Sequence, residues 1–353
     1  MLIKEKISIG VDIGSNMIKI IGLRKKKRIK VEFLKSVDLY ASRNVKRPED
    51  LNDTTLVQII RGLCKEIKGG VKKIKTTISG PNVFIRTMEL PVLSDDEIKS
   101  AIKWKLKSVI PLNTDNIEFD WQILNTNKSS NTQSIIVAVV PTSEMKKHLD
   151  ILTRANLEPE IVEVDTLAIY NCFITLEDLK PNKTIAILNI GAERTSLIIL
   201  HPNHNSFFNS IKIGGNALTR TIERKLHTSF IVAEQQKIEM NNQQLYNNED
   251  NAEFKWKESL HLMVNKLSEE IKRADIYYQI LYGEEGLDRI YLTGGGSKLK
   301  NLAFLLAYAT KIPVFLWNPF KSDKLEYNQE IEDIEELGPH FTTVLGITLR
   351  DKL

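Results

Sequence analysis

Cysteine is scarce in this chain, with two residues in 353, Cys64 and Cys172. Two thiols cannot build a disulfide framework, and neither sits in a metal-ligand spacing, so both read as buried thiols in a reducing compartment. Long apolar runs are missing as well. Apolar runs such as 185–188 and 195–200 fall far short of the ~18 residues that would span a bilayer. Met1 to Lys6 leads into no apolar stretch, so no signal peptide is expected and the address reads as cytoplasmic. Neither sign of charge is in large excess. The net charge is +4, which gives no ground for nucleic acid as a partner. There is no Walker A pattern, no zinc spacing and no G-x-S-x-G elbow. Six scattered histidines give no reason to choose any Ser/His/Asp or Cys/His set.

What remains is an ordinary globular composition, 42% hydrophobic and 27% charged. A chain of this length buries a large core without cross-links and has room for about two domains. The charge is unevenly spread. Residues 1–47 hold 13 Lys/Arg against 4 Asp/Glu, densest at 24–28 between two strand-like runs. The plain reading is a solvated hairpin tip; the sharper one is a face turned to anionic lipid or an acidic partner.

An internal repeat is visible. Gly10 to Leu23 can be laid on Ile187 to Leu200 at a constant offset of 177 residues, about half the chain. Each copy reads as a strand, a turn on Asp/Asn-x-Gly and a second strand, which suggests two related domains facing a cleft. Between the copies the texture differs. Residues 75–90 read as strand, broken at Gly80-Pro81-Asn82. Ser94 and Glu97 form a capping box that opens a helix ending at Pro111. Its apolar stripe is Ile98, Ala101, Ile102, Leu106 and Val109, and Trp104 lies off it. Strands at 118–124 and 134–140 and a helix at 143–156 complete a small α+β unit. Beyond the second copy, 214–240 reads as helical and 241–251 as a mobile polar loop. Leu260, Val264, Leu267, Ile271, Ala274, Tyr278 and Leu281 mark a long helix packed on a sheet. A strand at 290–293 feeds Gly294-Gly295-Gly296-Ser297, a helix follows at 300–309, 321–336 is an acidic surface segment, and 339–350 is a closing helix.

The chemistry must come from the glycine turns. In Asp12-Ile13-Gly14-Ser15-Asn16, a tight turn aims backbone N–H groups at one spot, a nest suited to phosphate. A carboxylate at the strand end can hold Mg²⁺ through water. Gly191-Ala192-Glu193, with Thr195 nearby, can do the same from the facing domain. Two hairpins in register, followed by a triple-glycine turn, fit a clamp on nucleotide phosphates.

This set resembles the actin-like ATPase superfamily: α/β, two duplicated ribonuclease H-like domains around a nucleotide cleft. The resemblance makes Asp12 to Lys19 the first phosphate motif and Asn189 to Thr195 the second. It makes Asp165 the acidic residue of a connecting helix that positions water or metal. It places Gly214, Gly215 and Asn216 near phosphates and ribose, Glu234 and Lys237 on the ribose, and Gly294, Gly295, Gly296 and Ser297 beneath adenine. Within the superfamily, the insert text from Ile78 to Pro111, the Gly214 to Thr219 stretch and the closing Gly346-Ile347-Thr348-Leu349-Arg350 are similar to the type IV pilus assembly protein PilM family.

That resemblance implies ATP and Mg²⁺ as cofactors and a scaffold at the cytoplasmic face of the inner membrane. The implied partner is the cytoplasmic tail of a bitopic protein, PilN, in a groove between the first domain and the insert. Other pilus platform proteins, the motor and self-association are further implied contacts. The implied domains are 1–83, an insert at 84–160, a junction at 161–200 with the second hairpin, 201–335 with the adenosine motif, and 336–353 returning to the first domain. Trp104 is the candidate partner contact on the insert. Asn189 stands where the family usually carries an acid, so hydrolysis is expected to be slow or absent. An FtsA-like role would need an amphipathic helix after the closing one, and the chain stops at Leu353. A sugar kinase would need a catalytic carboxylate, for which Asp165 is the candidate, and a sugar pocket.

Overall fold

The structure is a computed structural model that describes residues 7–25, 28–40, 50–67, 69–242, 251–283, 285–327 and 333–350. Lys26 and Lys27 of the basic hairpin tip, and most of the polar loop expected at 241–251, lie outside the described residues.

The chain opens as a meander of β1 (Ser8–Ile13), β2 (Met17–Lys25) and β3 (Ile29–Asp38). Helix α1 (Asp53–Lys65) starts where the Asn52 side chain accepts from the Thr55 amide, and leads to β4 (Lys73–Ile78). The chain then leaves at Gly80 to build a separate unit of β5 (Phe84–Pro91), α2 (Asp95–Val109), β6 (Ile117–Asn127) and β7 (Thr132–Pro141). Helix α3 (Thr142–Arg154) and β8 (Glu158–Val164) return, with β8 parallel to β4. Helix α4 (Asp165–Leu176) carries the chain into its second half.

The second half repeats the plan. β9 (Ile185–Ile190), β10 (Thr195–His201) and β11 (His204–Ile211) form another meander. Three helices follow, α5 (Gly215–Leu226), α6 (Phe230–Asn242) and α7 (Asn251–Tyr282). β12 (Arg289–Thr293) then lies parallel to β9, and β13 (Val314–Leu316), reached through α8 (Leu302–Thr310), lies parallel to β12. The chain finally returns to the first half through β14 (Leu325–Tyr327), α9 (Ile334–Leu337) and α10 (Thr342–Leu349).

The sheet orders are β14-β3-β2-β1-β4-β8 and β11-β10-β9-β12-β13. Each contains a three-stranded meander joined edgewise to two parallel strands, the first sheet adding β14 parallel to β3 at its other edge, and the pairing is duplicated in register. Asp12 pairs with Lys19 and Ile13 with Ile18; Asn189 pairs with Ser196 and Ile190 with Thr195. The 177-residue offset maps one set onto the other. Both turns close alike, Gly14 N–H donating to the Met17 carbonyl at 3.0 Å and Gly191 N–H to the Arg194 carbonyl at 2.9 Å.

Helices α4 and α10 lie in the core between the two sheets, with Ile169, Phe173, Val344 and Leu345 in one cluster with Ile187 and Ile198 of the second sheet. Glycine sets the closeness of this layer. A Cβ at Gly346 would run into the Ala168 carbonyl of α4, and one at Gly10 into the Thr348 hydroxyl of α10. The third sheet, β5-β7-β6, puts Ile135, Val137 and Val139 on one face against Ile98, Ile102 and Leu106 of α2. Its other face, with Ile136 and Val140, joins the central cluster.

Several local expectations change. Helix α3, read above as part of the insert, packs Ile151 and Leu152 with Val57, Ile60 and Leu63 of α1 in the core of the first sheet. β8, which begins before residue 160, is a strand of that same sheet. The stretch 214–240 is two helices, because His227 takes a left-handed conformation at the end of α5. The acidic segment at 321–336 contains β14, the sixth strand of the first sheet. Val109 and Leu281, placed on apolar stripes, are exposed at the ends of their helices.

Candidate functional site

The two hairpin turns face one another, and the N-terminus of α5 sits on the second. Gly215 N–H donates to the Gly191 carbonyl at 2.9 Å and Asn216 N–H to the Ala192 carbonyl at 2.7 Å. Gly214 must be a glycine for this, since a Cβ would overlap the Ala192 peptide. The side chain of Asn216, with no exposure to solvent, then spans the cleft. It donates to Asn16 Oδ1 at 3.1 Å, accepts from Asn16 Nδ2 at 3.0 Å, and donates to Glu193 Oε1 at 2.7 Å. Asn16, Glu193 and Asn216 thus form one network across the two halves. Beside it, Tyr40 donates to the Ser15 carbonyl at 3.1 Å, and its ring lies 5.5 Å from that of Phe230 on α6.

Asp12 is buried at the end of β1. Lys19 Nζ lies 2.7 Å from its Oδ2, and Thr77 Oγ1 donates to its Oδ1 at 2.9 Å. Asp165 opens α4 and accepts from Thr166 N–H at 2.7 Å. Burial pushes the Asp165 carboxyl up to about 6, with the nearby Asp12 charge adding to the effect and Thr166 and Arg194 opposing it. Lys237 is buried on α6, 2.7 Å from Glu234 Oε2 and 3.0 Å from Thr219 Oγ1. Gly294 holds φ +82°, and a Cβ there would stand 2.6 Å from Asn189 Oδ1 and from the Ile190 carbonyl oxygen. Gly295 passes so close to the His340 ring that a Cβ would lie 2.9 Å from it, and Ser297 Oγ donates to the Gly294 carbonyl at 2.6 Å. Burial, with Lys19 and Lys298 adding repulsion, holds His340 down at about 4, so it is neutral at pH 7.

Asp12, Gly14 to Asn16, Lys19, Gly191 to Glu193, Gly214 to Asn216, Glu234, Lys237, Asn189 and Gly294 to Ser297 are therefore linked around the second hairpin. Thr195 is the exception among the phosphate-motif residues. It is wholly buried, and its hydroxyl donates to the Ile213 carbonyl at 2.7 Å, so it is spent on structure. His340 and Tyr40 were not singled out from sequence, for neither carries a local signal and both arrive through tertiary packing.

The family model described as type IV pilus assembly protein PilM matches residues 10–352. The chain belongs to that family. Among solved structures, a chain of a PilM-PilN type IV pilus biogenesis complex is similar at 22% identity and a TM-score of 0.81, with 98% of each chain covered. Ethanolamine utilization protein EutJ from Carboxydothermus hydrogenoformans is similar at 13% identity and a TM-score of 0.54, covering 98% of this chain and 89% of that one. A diol dehydratase-reactivating factor in nucleotide-free form gives 9%, 0.53, 98% and 99% respectively. These likenesses show the fold, which is actin-like.

A PilM-type insert leaves a second feature. A cavity of about 750 Å³ lies between the insert sheet, α4 and β8 of the first half, and β11. Ala138, Val140 and Tyr170 line it, with Glu118, Asp120 and Gln122 at its β6 side. These three pair with Val140, Ala138 and Ile136, so they share the groove-facing side of the sheet. On the floor, Arg350 NH1 lies 2.9 Å from buried Glu163, whose oxygens also accept from Asn171. Trp104 is 75% exposed, as its place off the stripe implied. It stands on α2, which covers the opposite face of the insert sheet, and it does not line this groove. Among the described residues no helix is long and apolar enough to cross a membrane, and no cluster of three metal-ligating side chains exists.

Proposed function

We propose that this chain is a nucleotide-binding scaffold of the type IV pilus platform that receives the cytoplasmic tail of a PilN-like bitopic membrane protein at the inner membrane. The observation that carries the partner reading is the groove. It is lined by the insert on one side and the first half on the other, and its apolar lining with a few polar groups suits an extended segment. A disordered tail would bind there through a few anchor side chains, at a cost in ordering.

The cleft fits a nucleotide. The glycine turn at Gly294 to Gly296 packs its bare backbone directly on Asn189, Ile190 and His340, which side chains there would push apart, and the paired turns carry backbone donors. Buried Gln236 Oε1 on α6 lacks a hydrogen-bond partner, alone among buried side-chain polar atoms of the described residues. Gly14 to Asn16 and Gly191 to Glu193 would hold phosphates, Glu234 and Lys237 the ribose, and the Gly294 turn the base. Mg²⁺ would supply charge neutralisation beside the phosphates, with Asp12 and Asp165 as the carboxylates within reach. Asp12 is already matched by Lys19, and Asn189 offers an amide where a carboxylate would serve the metal side. Both points support binding with slow or absent hydrolysis.

Two measurements test this reading. Millimolar Mg-ATP should raise the melting temperature, as any ligand of the native state must. A synthetic PilN-type tail should bind the full chain, and Gln122→Trp in the groove should weaken it at least tenfold with the Mg-ATP shift intact. No tail binding would end the partner reading, and no Mg-ATP shift the nucleotide reading.

A further inference from the structure

A smaller cavity of about 180 Å³ lies where three parts of the molecule meet. Arg86 comes from β5 of the insert, Arg194 from the second hairpin, Ser210 and Lys212 from the end of β11, and Asp165 and Thr166 from the start of α4. It adjoins the 750 Å³ groove, sharing Val164 and Phe208 with it, and falls below the ~300 Å³ lower bound of ordinary drug-sized pockets. Its ligand must be small.

Its cations are notable for what they lack. Arg194 donates its Nε–H to Ser210 Oγ at 2.9 Å, and Arg86 donates to the Ile85 carbonyl at 2.8 Å with its guanidinium 5.1 Å over the Phe84 ring. Among the described residues, Arg86, Arg194 and Lys212 form no ion pair. Both arginines are partly buried, and burial depresses both below the usual arginine range. Two half-buried guanidinium groups at one cavity, neither in a direct ion pair, are costly. Acids do border the place. Asp165 lines it, and Glu144, which accepts from Asn82 at 3.1 Å, is near enough to act on Arg194. Three cations still outnumber them. Guanidinium groups match tetrahedral oxyanions by paired, charge-assisted hydrogen bonds, and lysine adds a point charge.

We propose that this cavity is an anion subsite taking a small tetrahedral oxyanion, inorganic phosphate, between Arg86, Arg194 and Lys212. The anion joins the insert to the second half, because Arg86 and Arg194 belong to different bodies of the fold. It also stands beside the nucleotide cleft, since Arg194 is part of the second hairpin and Asp165 feels both Asp12 and Arg194.

The test uses the full chain at pH 8 without nucleotide, titrated with sodium phosphate against sodium chloride at matched ionic strength. Phosphate should raise the melting temperature saturably beyond chloride. Arg86→Gln and Lys212→Gln should each weaken that effect at least tenfold, and the shift given by Mg-ATP should be unchanged in both. Lys212 is exposed, so its variant decides the matter if Arg86→Gln fails to fold. No phosphate-specific shift in the unmodified chain overturns the proposal. So does an unaltered phosphate effect in Lys212→Gln, or a parallel loss of phosphate and Mg-ATP effects, which would place the phosphate in the nucleotide cleft.

Discussion

Asn216 concentrates the contact between the two halves into one amide. Its fully buried amide makes three side-chain hydrogen bonds, to half-buried Asn16 and exposed Glu193, so truncation leaves Asn16 and Glu193 to find new partners. Asn216→Ala should cost about 1–3 kcal/mol, read as a lowered urea midpoint with an unchanged slope. Titrating groups nearby give a second expectation. His148, whose Nε2 is 3.1 Å from Thr76 Oγ1, is held down at about 4 by burial, as is His340. Both bind protons less well folded than unfolded, so the stability they contribute above about pH 6.5 is lost as pH falls toward 4. Asp165, raised to about 6 from an ordinary 3.8, acts in the opposite sense. Its contribution falls as pH rises from about 4 to 6 and is level above. Urea midpoints should therefore drop between pH 6.5 and 4, and Asp165→Asn should steepen that drop. The same variant should be more stable at pH 8, by on the order of 1–2 kcal/mol.

At the scale of elements, glycine decides where helices touch. Gly346→Ala drives a methyl into the α4 backbone, and overpacking of this kind costs about 1–3 kcal/mol or more. Gly62 makes the opposite case. It sits inside α1 with open space where a Cβ would be, so Gly62→Ala should stabilise by about 0.5–1 kcal/mol. Chemical denaturation of the two variants side by side checks both signs. These elements also show what was legible in the sequence. The hairpins could be read because each carries its own turn, and the 177-residue offset because both turns serve one geometry. The capping box of α2 was legible for the same local reason, and the structure has Ser94 N–H and Oγ on Glu97 Oε2 at 3.1 and 2.6 Å. β14 was not, because three residues in an acidic stretch carry no period and gain a strand only by pairing with β3. The basic hairpin shows the same limit. Arg24 meets Glu32 at 2.9 Å and Arg28 lies 3.5 Å from Glu326 of β14, so two of its charges are matched by acids of the same sheet. The groove was placed by family resemblance, whereas its lining from β6, α4 and Arg350 depends on contacts far apart in sequence.

The molecule as a whole is not two beads on a string. The first sheet takes its edge strand from residues 325–327, and β1 is covered by α10, with Lys75 Nζ reaching the Thr348 carbonyl at 3.3 Å. The second sheet is built from one continuous stretch between Ile185 and Leu316. A chain ended after Leu337 should therefore lose more hydrogen-exchange protection at β1 and β2 than at β9 and β10, which lose only the packing of Val344 and Leu345 on Ile187 and Ile198. Equal protection in both would contradict this dependence.

This arrangement also orders events on the ribosome. At ~5–20 residues per second, the start of the chain waits on the order of 20–70 s for the segments that complete it. Its apolar meander emerges first and finishes last, while the second sheet, begun later, has all its strands sooner. The N-terminal half is thus the part of this protein most exposed to chaperones and proteases before synthesis ends.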